Sequence, residues 1–310
     1  MTMQESRSGL EIGDSSVTSD RDRAKGEFSR AATPYFRVRH RIRTAFSEHP
    51  AIYLPFARRK YRLPSPEVIG PETELVIDGY TRSACTFAVY ALQLAQERPV
   101  RLAHHLHAPA QLIAAAKAGV PAIVVIRDPK GAVLSQVVRE PRVDMRDAII
   151  AYTRFYSVLM PYRAAFTVGE FETVTTDFGS VIRRLNARFG TSYNEFVPTD
   201  SNVKACFDLV RRRPTLSPEL LGFESGLVSI EELQPALEAM PAQEGVKADT
   251  WVPSAERDRE KEAFETAWMT PALAKARARA NAVYQEFLAE PHPGTRRPSI
   301  RANSRAKRVP

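Results

Sequence analysis

A chain of 310 residues with 44% apolar and 26% charged content can bury a substantial core as one large domain or two small ones. It holds no apolar run near the ~20 residues a bilayer span needs. MTMQESRSGLEIGDSSVTSD at the start lacks the apolar middle of a secretory signal, and Cys85 and Cys206 are too few for a disulfide framework, so a reducing cytoplasmic setting is expected. The net charge of +8 sits on the flanks: eight basic residues against Glu48 between Phe36 and Leu63, and six with no acid from Thr295 onward. The remainder is net acidic, which argues against a body built for specific nucleic-acid reading.

Residues 1–33 are polar with little apolar periodicity and read as a disordered segment. A basic arm and linker follow over 34–73: one basic amphipathic helix, a turn at Pro50, a second short basic element, then the Pro-punctuated PSPEVIGPE. The arm is expected to pack on the domain edge or to touch an anionic membrane or polyanion. From 74 to 290 strands and helices alternate. ELVIDGY, PVRLAHHLH, PAIVVIRD and FTVGEFETV read as strands. FAVYALQLAQE, PAQLIAAAKAG (stopped at Gly119), AVLSQVV, DAIIAYTRFYSVLM and FGSVIRRLNARFG read as helices. The pattern predicts an α/β fold of three layers, a parallel sheet with helices on both faces. Residues 213–250 read as a partly ordered cap. SAERDREKEAFETAW, N-capped by Ser254, and PALAKARARANAVYQEFLAE read as closing helices, and 291–310 as a disordered basic tail.

Ligands of such sheets sit beyond the carboxyl ends of the strands, so the chemistry is sought there. The first strand runs into GYTRSACTF, a turn of small and hydroxyl residues ahead of a helix, with Arg82 as a fixed charge. Free backbone amides and the helix's positive end make such a turn an anion site; a plain strand–helix corner is the simpler reading. The third strand ends in IRDPKGAVLS, where the Arg127 fork and the Ser135 hydroxyl can hold one phosphate from two sides. Arg127 could instead pair with Asp128 or Glu140. The second strand ends in HHLHAP. Strand alternation would put His105 and His107 on one face and His104 on the other, with no acid or thiol at ligand spacing for a metal. Histidine there is a natural base near neutral pH.

Taken together, these segments resemble the sulfotransferase family. GYTRSACTF is similar to its 5′-phosphosulfate loop, IRDPKGAVLS to its 3′-phosphate motif, HAPAQL to the segment carrying its general base, and FETVTTDFGSVIRRLNARFG to its YEDL strand and helix. The resemblance spans about Leu75 to Tyr193. It implies a P-loop nucleotide-kinase-like fold and a metal-independent transfer from 3′-phosphoadenosine 5′-phosphosulfate to an acceptor hydroxyl or amine. It further implies His107 as base and Arg82 with Ser83, Ala84, Cys85, Thr86 and Phe87 around the 5′-phosphate and adenine. Arg127 and Ser135 fall to the 3′-phosphate, with Lys247 or Arg257 as its second clamp. Arg82, Ala84, Cys85 and Phe87 stand where the family has lysine, glycine, threonine and tryptophan, and its RKGxxG clamp is missing. A P-loop nucleotide or small-molecule kinase and a non-catalytic binding relative of the fold are the alternatives; the former lacks its GK[ST] signature here.

Overall fold

The computed structural model describes residues 34–60, 67–239, 252 and 254–289. The segment 1–33, the tail 291–310 and Lys247 lie outside the described residues. Residues 34–46 form helix α1, and α2 (Pro50–Lys60) follows the turn expected at Pro50. Arg37 and Arg41 on α1 reach the fully buried Asp147 carboxylate at 3.0 and 2.7 Å. Those two ion pairs fasten the basic arm to the domain.

The centre is a four-stranded, all-parallel sheet in the order β2-β1-β3-β4: β1 (Leu75–Gly79), β2 (Leu102–His104), β3 (Ala122–Ile126) and β4 (Thr167–Glu170). The strands are apolar on both faces because helices cover both. Val76, Val124 and Ile126 face a core shared with α4 (Pro109–Ala118), α6 (Met145–Leu159) and α14 (Ala274–Leu288). Leu75, Ile77, Ile123 and Val125 face a second core with α3 (Cys85–Ala95), α8 (Phe178–Phe189) and α9 (Asp200–Arg212). The expected α/β class with a covered parallel sheet is thus present.

The chain leaves β1 through α3 for β2 on one side, then crosses back through α4 to β3 on the other. This reversal opens a crevice at the carboxyl ends of β1 and β3, the usual ligand position in such sheets. Gly79, the last residue of β1, pairs with Val125, and a side chain there would run into the Val125 carbonyl. That close approach brings the β1 turn down onto β3.

Several expectations are corrected. The strand read through PVRLAHHLH stops at His104, since His105 and His107 take left-handed φ of 54° and 48°. Strand alternation therefore does not sort these histidines. FTVGEFETV is strand only to Glu170, and α7 (Phe171–Thr176) follows at once. The closing SAERDREKEAFETAW breaks into α12 (Ala255–Glu262) and α13 (Glu265–Met269). The described part of the cap is packed structure. There α10 (Pro218–Glu224) and α11 (Ile230–Ala239) bury Leu220, Phe223 and Leu233, and the Ser225 carbonyl accepts from the Leu102 amide. The apolar residues of that stretch had no period because they serve two short helices and a turn.

Candidate functional site

The turn Tyr80–Ala84 is held from both ends. The Tyr80 hydroxyl lies 2.5 Å from Gln136 Oε1 on α5 (Pro129–Arg139), and its amide donates to the Tyr156 hydroxyl at 3.3 Å. Tyr156 in turn donates to the Val125 carbonyl at 2.9 Å, tying turn, α6 and β3 together. The first bond of α3 runs from the Ala88 amide to the Ala84 carbonyl at 3.0 Å. The amides of Cys85, Thr86 and Phe87 thus precede the intrahelical ladder.

A cavity of about 440 Å³ opens over this turn at the switch point. Arg82, Ala84, Cys85, Thr86 and Phe87 line it from the turn; Arg127 and Ser135 line it from beyond β3. Arg257, at the start of α12, closes it from the C-terminal part of the chain. Ser83 is the exception among the expected residues: it is buried and does not line the cavity. Of the five non-glycine residues at positive φ among the described residues, Arg82, Ala84, His105 and His107 belong to or adjoin this one place. An L-residue held left-handed costs on the order of 1–2 kcal/mol. Such clustering marks ligand sites, where strain is retained for the geometry it gives.

The electrostatics are those of an anion site. Ser135 Oγ accepts from Arg82 Nε at 3.0 Å and from Arg257 Nη2 at 3.1 Å. Arg127 lies 4.0 Å over the Phe171 ring and donates to the Arg82 carbonyl at 3.3 Å, and its Nε makes no hydrogen bond among the described residues. Asp128, the pairing partner offered by the simpler reading, stands 3.8 Å away, at the edge of an ion pair. Burial, and then the charges of Arg257, Arg139 and Arg127, press the Arg82 pKa down to about 9. Arg127 and Arg257 are lowered too, mainly by burial. Mutually repelling guanidinium groups around one space favour a multiply charged anion there. Arg82, read from sequence as serving a 5′-phosphosulfate, also reaches Ser135, read as serving a 3′-phosphate.

His107 sits on the shared wall between this cavity and a second hollow of about 130 Å³, which Thr81 and Glu140 also line. Its Nδ1 lies 2.9 Å from the Gly79 carbonyl, which can only accept. In the neutral ring Nδ1 therefore carries the proton and Nε2 the lone pair. Asp78, fully buried, accepts from the His107 amide at 3.1 Å and sets the ring's backbone. His105 instead turns inward, 2.9 Å from Thr86 Oγ1 and 2.5 Å from His104 Nδ1. Of the three histidines, His107 alone lines either cavity.

The expectation that these histidines lack acid or thiol neighbours is overturned. Folding brings Glu224 to 4.0 and 3.9 Å from His104 and His105, and Asp78 with Cys85 to His107, both as possible ligand triads. Glu224 is engaged through Oε1, ion-paired with Arg213 at 2.8 Å and accepting from Tyr90 at 2.5 Å, while Oε2, the oxygen facing the histidines, makes no hydrogen bond among the described residues. The Cys85 pKa is pushed well up by burial, which favours thiol over the thiolate a metal requires. Sequence reasoning missed Glu224 because it lies more than a hundred residues from the histidines, in the stretch without period. It missed Glu140 as a wall of both cavities, although Glu140 closes the helix that bears Ser135.

Comparison of the chain with protein-family models, with curated proteins and with solved structures gives no match.

Proposed function

We propose that this chain is a sulfotransferase of P-loop nucleotide-kinase-like fold, transferring a sulfuryl group from 3′-phosphoadenosine 5′-phosphosulfate to an acceptor hydroxyl or amine. The observation that carries the reading is the convergence of Arg82, Arg127, Ser135 and Arg257 on one cavity at the switch point, with His107 on its rim. In this reading the turn amides and Arg82 hold the 5′-phosphosulfate. Arg127, Ser135 and Arg257 hold the 3′-phosphate, and Phe87, packed against Phe207 at 5.4 Å, offers an apolar wall to the adenine.

The acceptor enters the second hollow, under α1. There His40 Nε2 is buried and makes no hydrogen bond among the described residues, leaving a polar contact for an incoming group. His107 Nε2 takes the acceptor's proton as its oxygen or nitrogen attacks sulfur in line. The bond from sulfur to the bridging oxygen breaks, and adenosine 3′,5′-bisphosphate leaves with its new charge facing Arg82 and the amides of α3.

The 3′-phosphate discriminates this donor from ordinary nucleotides. Two charge-assisted hydrogen bonds to that phosphate are worth roughly 10²–10⁴ in affinity. Calorimetry should find 5′-AMP weaker than adenosine 3′,5′-bisphosphate by that factor. Equal affinities would remove the basis of the reading.

A further inference from the structure

The arm formed by α1 and α2 carries a surface that the catalytic reading does not use. Half of the ten large apolar side chains left exposed among the described residues lie on these two helices: Tyr35 68%, Val38 55%, Ile42 64%, Ile52 58% and Phe56 55%. They are not scattered. Tyr35, Val38 and Ile42 fall at i, i+3 and i+7 on one side of α1. Phe46 continues that row at i+4 and meets the Phe56 ring at 5.8 Å, and Ile52 lies one turn before Phe56 on α2. The result is a continuous apolar stripe across both helices. Monomeric proteins rarely leave such patches without a partner.

The faces of α1 divide the work. Arg37 and Arg41 are spent on Asp147. His40 and Arg43 border the hollow that His107 lines, and with Phe36 and the rim residue Arg39 they border a neighbouring one. The Tyr35–Val38–Ile42 side is left to solvent. Around the stripe, Arg39, Arg43 and Arg59 are exposed, while the one acid between residues 34 and 60, Glu48, is bound through both oxygens by Arg154 at 2.6 and 2.8 Å. An apolar stripe edged by cations, with no free acid on its own two helices, is complementary to a negatively charged lipid surface. It fits a second copy of the chain poorly, because a two-fold contact would set these arginines against themselves. Among the described residues no helix is long and apolar enough to cross a membrane, so the contact is with the surface.

We infer that α1 and α2 form a docking surface for an anionic lipid bilayer, with the apolar stripe in the headgroup–acyl boundary and Arg39 and Arg59 among the lipid phosphates. The inference stands on the arm alone and does not depend on sulfuryl transfer.

The test is co-sedimentation of the full chain with phosphatidylcholine vesicles, with and without about one-third phosphatidylglycerol. Binding should require the anionic lipid and weaken at high salt. Arg39→Glu with Arg59→Glu should lower the partition by at least about 25-fold, from about 5-fold per lost cation. Ile42→Asp with Ile52→Asp should lower it by at least about ten-fold. Circular dichroism melting should leave all these variants folded at an unchanged Tm, since the side chains are exposed. Absence of binding to the anionic vesicles would overturn the inference. So would binding that survives Ile42→Asp with Ile52→Asp. A native dimer that these substitutions convert to monomer, or a Tm lowered by them, would assign the stripe to a second copy or to cover within the chain, and would overturn it equally.

Discussion

Arg257→Gln separates an anion clamp from a structural strut. Arg82 Nε and Arg257 Nη2 reach the same Ser135 Oγ at 3.0 and 3.1 Å, so those two nitrogens stand at most about 6 Å apart. At an effective dielectric constant near 20, repulsion at that separation is about 2–3 kcal/mol. Glutamine removes the charge and keeps a donor for Ser135. The free protein should therefore be no less stable, gaining up to about 2 kcal/mol after screening. Adenosine 3′,5′-bisphosphate should bind more weakly by roughly 10- to 150-fold, the worth of one charge-assisted hydrogen bond. Urea unfolding gives the first quantity and titration calorimetry the second, and the two should move in opposite directions. A variant that loses more than about 1 kcal/mol while binding the bisphosphate as before would make Arg257 a strut holding α12 to α5 and not an anion clamp.

Other substitutions test neighbouring parts. His107→Ala should lower sulfuryl transfer by about 10²–10⁴ while leaving bisphosphate affinity within a few-fold, because its Nε2 acts on the acceptor; full activity in a single-turnover assay would dismiss it as the base. Burial lifts the Glu67 carboxyl from 4.5 to about 7. Between those values the folded state holds the proton that the unfolded chain has released, so stability falls as pH rises, by about 3 kcal/mol across the window. Glu67→Gln should erase that fall, and identical pH profiles for both proteins in urea unfolding would contradict it. Gly226 has φ of 71°, and a Cβ there would strike the Val100 carbonyl, so Gly226→Ala should destabilise by more than about 2 kcal/mol. A Tm within a degree or two of the parent would show that the turn after α10 yields more easily than its packing implies.

The frame of the fold was legible because its strands are short apolar runs with a helix between each pair. AIVVI could hardly be anything but a central strand, and Gly119 stops α4 with φ of 70° as a left-handed cap should. The Arg127-to-Ser135 spacing was legible for the same reason: a strand end and the next helix fix both residues with little freedom. The histidines were legible only in part. Their clustering pointed to the carboxyl end of β2, but local pattern assumed an extended chain, whereas His105 and His107 are turned left-handed by the Asp78 and Thr86 contacts. Glu224, Arg213 and Tyr90 form a buried polar network beside them that no spacing could announce, since its members meet only when α10 packs on α3. The positive φ at Ala84 illustrates the same limit. Alanine stands where the resembled family has glycine, and the fold nonetheless keeps a left-handed φ of 72° there, in the wall of the cavity.

The central claim is that the arginine-lined cavity takes a 3′-phosphorylated adenosine nucleotide. Thermal unfolding with adenosine 3′,5′-bisphosphate, set beside ATP with Mg²⁺, tests it most directly. A ligand that binds only the folded chain adds about 2.7 kcal/mol of stability at a hundred times its Kd. The bisphosphate should raise Tm in a concentration-dependent way while ATP with Mg²⁺ leaves it nearly unchanged. A rise with ATP and Mg²⁺ and none with the bisphosphate would contradict the account and favour a kinase.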